Sequence, residues 1–429
     1  MRRDLAIAFG ARVTWAVAAL AALMIGHGFV LALGIFTSTS RSAGTIMTRE
    51  LDPLAAIVRP TLGGTELATA VLVPIISARV LAVEKERNTF GALAIALGGA
   101  DRLLLPKLAA SVAAALLVLA PPLSLFVYYV VAGGRLDAAE SVVAFFGHFL
   151  HVVLIATIAV AAAAWTRTLA QATTFALVAS IASWSIDASD GFAALAWLSP
   201  LESFAVGRQL APFETGILRD GAVLWFVAAI AGVVVLAWLG LRFDLRLRKL
   251  YAFAVIATTL VVLAATSRVT RAHDWTEAAR ASLPPAAIAE LRSLGAPIEV
   301  TVWLDRDDAR RRQLQRDTLT KLQLARSDVG IVFPLDARES SPFAHDEDYG
   351  RIVVRVGGET RETRSTSRRE IVTLIFEAAG RPLPNWSQPE YAGHPFVGPA
   401  RGASVFAYLV LPSPFLVMGW AIRRPRRVR

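Results

Sequence analysis

Apolar residues run along this chain in long blocks, at about 13–36, 66–82, 108–131, 141–165, 168–185, 221–241, 250–266 and 402–422. Each block is near the roughly 20 residues a helix needs to cross a bilayer core, so the pattern predicts eight spanning helices. Between the second and third blocks, from Arg79 to Lys107, the pattern changes. Charges cluster at Arg79, Glu84, Lys85, Glu86 and Arg87 and return at Asp101, Arg102 and Lys107, while Phe90, Leu93, Ala94 and Leu97 recur at helical spacing between them. That spacing predicts a short helix, about 86–98, with one apolar face. Too short to span and too apolar for water, it is expected to lie along the membrane surface, tied to a spanning helix at each end.

Residues 267–401 lack long apolar runs and read as a small α/β domain. Strands are predicted at 298–304 and 329–333, and a hairpin at 351–356 and 360–364 turning on Gly357-Gly358. A charged helix over 307–325 carries Leu314, Leu319 and Leu322. A further helix over 366–379 is expected to start at Thr366 or Ser367, with Glu370 completing a capping box, and to stop at Gly380. The Pro53- and Pro60-containing stretch 37–64 reads as a loop, and 186–220 as a segment whose short helices dip into the membrane face.

Composition narrows the class. Of 429 residues 55% are hydrophobic and none is cysteine, which excludes disulfides, thiolate catalysis and cysteine-ligated zinc or iron–sulfur sites. The net charge of +10 does not point to nucleic acid. Its basic residues gather at Arg2, Arg3 and Arg12, at Arg242, Arg246, Arg248 and Lys249, and in the 423–429 tail. By the positive-inside rule both termini and the 79–107 stretch are expected in the cytoplasm, and 267–401 outside. The 13–36 block is too long for a signal-peptide core and lacks a cleavage pattern.

The order of apolar helix, LAVEKERNTFGALAIALGGADRLLLPKLAA and second apolar helix resembles the permease subunits of ABC-2 type transporters. AWTRTLAQA and LSPLESF extend the likeness over residues 1–245. The stretch from SRVTRAHDW to LTKL is similar to the external auxiliary component of gliding-motility-type transporters, a GldG-like domain shortened to about 135 residues, which makes the permease half GldF-like. The resemblance implies a six-helix permease bundle over 1–245 with a coupling helix, a seventh and an eighth spanning helix, and an external domain between these two. In a bacterial inner membrane, cytoplasmic ATPase subunits would be partners, with a second permease half, identical or paralogous, and an envelope auxiliary protein. Glu84, Glu86, Arg87, Phe90, Leu93, Leu97 and Arg102 would form the coupling site.

The chain has no GxxxxGK[ST] phosphate loop, so ATP hydrolysis is expected on a separate subunit and this chain is not read as an enzyme. Glu84 and Glu86 have two readings: contacts to basic residues of an ATPase, or surface charges that fix a helix end at the membrane boundary. His148 and His151 share a helix face but have no carboxylate beside them in the same helix, which leaves the interface, a neighbouring helix or the lining of a polar path open to them, and His27 reads as a packed or hydrogen-bonded residue. No lysine or glutamate is expected deep in the apolar cores. His345, Asp346, Glu347 and Asp348 read as a solvated acidic turn, and Arg310, Arg311, Arg312 and Arg316 as a solvated helix face. No cofactor or metal is assigned. The reading is an ATP-driven ABC-2 type permease subunit, an exporter; the alternative is a membrane-anchored scaffold of an envelope complex with no transport path.

Overall fold

The computed structural model describes residues 2–42, 51–187, 201, 204–242, 246–305, 308–337, 348–384, 391–398 and 400–422. Most of LSPLESF, the His345–Glu347 turn and the basic tail lie outside these residues. The chain forms two compact units, one of residues 1–269 with 392–429, the other of Thr270–Tyr391.

Among the described residues of the first unit eight helices are long and apolar enough to cross a membrane: α2 (Arg12–Ser42), α3 (Leu54–Glu86), α5 (Asp101–Val131), α6 (Ala138–Trp165), α7 (Leu169–Ile186), α9 (Asp220–Leu241), α10 (Arg248–Thr266) and α14 (Arg401–Ala421). The protein is thus a polytopic helical membrane protein. Three short helices accompany them, α1 (Arg2–Phe9), α4 (Phe90–Ala96) and α8 (Val206–Glu214).

The centre is made by α3 and α6, which pack on each other; α2, α5 and α7 flank α3, and α9 lies against α6. Small residues permit close approach. A Cβ on Gly147 of α6 would stand 2.7 Å from the Phe213 ring, and one on Gly240 of α9 2.8 Å from Trp165. Outside this core α10 rests on α9 and α14 on α2, leaving apolar side chains such as Phe253 and Val261 uncovered by protein.

The predicted 37–64 loop shrinks from both sides. α2 continues to Ser42, and α3 begins at Leu54 with a π-helical turn over Leu54–Val58. Pro53 and Pro60 are therefore not loop residues: Pro53 is the cap of that turn, and Pro60 opens the α-helical part. A helix start needs no N–H from its first residues, so proline is tolerated there.

The second unit contains α11 (Pro285–Ser293), α12 (Ala309–Leu314, continued through a π-turn at Gln315–Leu319 into Thr320–Ala325) and α13 (Arg368–Ala378). Its strands are β1 (Ile298–Val302), β2 (Gly330–Val332), β3 (Ile352–Val356) and β4 (Glu359–Thr363). They form one sheet in the order β2-β1-β3-β4. β1 and β2 are parallel, with α12 as the crossover a parallel pair needs. β3 is antiparallel to both β1 and β4. Ile298, Val300, Val302, Ile352, Val354 and Val356 alternate into a core closed by Leu314, Leu319 and Leu322 of α12 and Ile371, Ile375 and Phe376 of α13. The hairpin turns on Gly357, whose φ of +62° is a conformation that favours glycine.

Two expectations fail in this unit. Ser367 is the N-cap of α13, but its side chain caps nothing. Glu370 instead accepts a hydrogen bond from the Thr363 hydroxyl at the end of β4, so the capping box is replaced by a strand-to-helix tie. Arg311 does not face solvent: it is buried over the Phe333 ring, 3.8 Å from its centroid, and donates to Leu304 O.

Candidate functional site

The last turn of α3 presents Glu84, Lys85 and Glu86 in succession. Consecutive helical residues point about 100° apart, so three charges at one helix end can reach three different neighbours. Lys85 Nζ donates to Ala163 O at 2.7 Å, Ala164 O at 2.6 Å and Thr166 O at 3.1 Å. The last carbonyls of a helix have no partner within it and carry partial negative charge, so this ammonium caps the C-terminus of α6. Glu86 Oε1 accepts from the Leu169 amide at 2.7 Å, the first residue of α7. One helix end thus holds both sides of the α6–α7 turn.

Glu84 points the opposite way, into protein. Its Oε2 lies 2.6 Å from Lys107 Nζ on α5, and Lys107 also bonds Asp4 Oδ1 of α1 at 3.0 Å and Val80 O of α3 at 3.1 Å. Arg3 stands 3.7 Å from the other Glu84 oxygen. Lys107 is 1% exposed and Glu84 3%. Taking such charges out of water is costly; Lys107 is both paired and hydrogen-bonded, whereas Glu84 is held by its ion pairs, neither of its oxygens accepting a hydrogen bond among the described residues. At Asp4, burial raises the carboxyl pKa, but the hydrogen bond and charge of Lys107 more than offset this and the pKa lies below the ordinary value.

Beyond Glu86 the chain reverses through Asn88, whose φ is +56°, and enters α4. The short helix expected over 86–98 is therefore Phe90–Ala96, because residues 86–89 finish α3 and turn. Phe90 is buried and packs with Leu81, Ala82, Ala163 and Ala164, and its ring lies 5.9 Å from Lys85 Nζ. Leu93 is half-buried, whereas Arg87, Ile95 and Leu97 are exposed, Ile95 to 84%. Arg102 donates to Leu97 O at 3.0 Å and closes the far end of the short helix.

Of the seven residues singled out from sequence, Glu84 is committed to Lys107, Glu86 to the α7 amide, Phe90 to the core and Arg102 to the α4 carbonyl. Arg87 and Leu97 face outward. Glu84 is thus not a surface charge, and burial takes it out of direct reach of a soluble partner. Lys107, Asp4 and the role of Lys85 escaped the sequence reading. Lys107 leads directly into an apolar block, which marks it only as an end charge.

A second polar group crosses the bundle farther along. His148 Nε2 is 3.1 Å from Glu214 Oε1, and Arg59 Nε 3.3 Å from Glu214 Oε2. The carboxylate that His148 meets comes from α8, which dips into the bundle. This pair, with Lys107, also corrects the expectation that lysine and glutamate avoid the apolar cores. His27 bonds the Tyr408 hydroxyl at 2.8 Å, joining α2 to α14. Among the described residues no three histidine, aspartate or glutamate side chains gather as a metal site, and Asp348 of the acidic turn pairs with Arg351 at 2.7 Å.

Compared with protein-family models, with curated proteins and with solved structures, the chain finds no match.

Proposed function

We propose that this chain is the permease subunit of an ATP-driven ABC-2 type exporter in a bacterial inner membrane, driven by ATPase subunits on separate chains. The observation that carries this is α4: a seven-residue helix with an exposed apolar tip, joined at its start to the end of α3, whose side chains reach α1, α5, α6 and α7. A passive anchor has no need of such a device.

In this reading ATP binding draws two ATPase subunits together, and their movement enters at Ile95 and Leu97. Phe90 passes it to the end of α3. Lys85 and Glu86 carry it to the α6–α7 turn, and the Glu84–Lys107–Asp4 group to α5 and α1, so the displacement tilts the bundle as a body. Six helices make half a path, and a second permease half completes it, as closed symmetric assembly favours. Thr270–Tyr391 is the outer domain, which meets an envelope auxiliary protein.

A photo-crosslinker at Ile95 tests the reading. In native membranes it is expected to capture an ATP-binding chain, and Lys85→Met is expected to uncouple that chain's ATP turnover from the permease. Capture of no ATP-binding chain would favour a scaffold instead.

A further inference from the structure

We propose that a small cavity between α3, α6, α7 and α8 is a water-binding site inside the bundle, with His151 and Ser180 as its ligands.

The cavity is lined by Glu66, Ala70, His151, Ile155, Ser180 and Ser183, among others, and has room for about one water molecule, near 10 Å³. His151 and Ser180 are each 3% exposed, and neither His151 Nδ1 nor Ser180 Oγ has a partner among the described residues. A buried polar atom left unpaired costs about 1–3 kcal/mol, and such atoms are rare in folded proteins. Two of them lining one cavity point to a shared guest that both donates and accepts. Ser183 Oγ accepts from the Val206 amide at 3.1 Å, which leaves its proton free to turn toward the cavity. Histidine nitrogen and hydroxyls suit water.

The position gives the site its interest. His151 lies thirteen residues after Ala138 and fourteen before Trp165, the ends of α6, so it is about 20 Å from either end at 1.5 Å per residue. One turn away on the same face, His148 meets Glu214, which Arg59 pairs from the other side. The titratable groups around the site are Arg59 and Glu66 on α3, His148 on α6 and Glu214 on α8; among described residues α7 offers Ser180 and Ser183. A water here makes the wholly buried His151 able to exchange its proton and links the polar groups of four helices. The inference does not depend on the transporter reading.

The full chain in lipid nanodiscs tests it through X-ray hydroxyl-radical footprinting, which labels side chains beside bound water even when they are buried. His151 is expected to be labelled far faster than the equally buried Phe29, and this excess to be lost in Ser180→Val, which fills the cavity. Ser180→Ala should lower it while leaving the fold unchanged, and water-edited solid-state NMR should show transfer from water to the His151 ring. Labelling of His151 no faster than Phe29, or an excess untouched by both Ser180 variants, would overturn the proposal. So would an excess that disappears when sodium is replaced by a bulky organic cation, since the guest would then be a metal ion.

Discussion

Replacing Lys107 by methionine keeps the stem of the side chain and removes an ammonium that lies 2.6 Å from Glu84 Oε2, 3.0 Å from Asp4 Oδ1 and 3.1 Å from Val80 O. Glu84 is then left at 3% exposure with only Arg3, 3.7 Å from its other oxygen. Stranding one partner of a buried ion pair costs about 3–5 kcal/mol. At about 2.1 cal/mol/K of unfolding entropy per residue, a unit of about 300 residues shifts by about 1.5 °C per kcal/mol, so the midpoint should fall by about 5–8 °C. Glu84→Gln in the same chain removes the stranded charge and is expected to restore most of the loss, a coupling near the upper end of the usual range of about 0.5–3 kcal/mol in the double-mutant cycle. Because the pair is buried, the loss should change little between low and high salt. The assay is thermal unfolding of the four purified chains in detergent, read by tryptophan fluorescence. A Lys107→Met chain that melts with the parent, or a double variant that falls by the sum of the single losses, would refute the reasoning.

Two further predictions concern a cap and a surface charge. Glu86→Gln keeps an oxygen for the Leu169 amide and should be nearly neutral, whereas Glu86→Ala should cost about 1 kcal/mol, seen as faster hydrogen exchange in the first turn of α7 alone. In the second unit the hydrogen bond from Arg310, opposed by burial and helped by that from Tyr349, holds the Asp308 carboxyl at about 2. A folded pKa below the unfolded value of about 3.9 means that its stabilisation is present above pH 4 and is lost as pH falls toward 2. Asp308→Asn should therefore speed exchange at residues 348–351 at pH 5 and make no difference at pH 2.

The spanning helices were legible because block length alone reports them, whereas their ends were not: α2 runs to Ser42, α3 from Leu54 to Glu86 and α5 from Asp101, through polar turns that the apolar blocks leave out. The hairpin was legible from Gly357-Gly358, and one face of α12 from Leu314, Leu319 and Leu322. What could not be read were meetings between distant residues. Glu84 and Lys107 are 23 positions apart, and Lys107 and Asp4 are 103 apart; only the packing of α1, α3 and α5 brings them together. His148 and Glu214, 66 apart, meet because α8 enters the bundle. α4 was drawn too long because its break falls at Asn88, with no glycine or proline to mark it. The α13 cap was misassigned because Glu370 had a competing donor, Thr363, supplied by the neighbouring strand.

The chain has no cysteine, so a single Ile95→Cys reports the tip of α4 without background. A membrane-impermeant maleimide should label it in inverted inner-membrane vesicles and not in intact cells, and adding the ATP-binding partner should shield it. Labelling from the outer face, away from the ATP pool, would contradict the account.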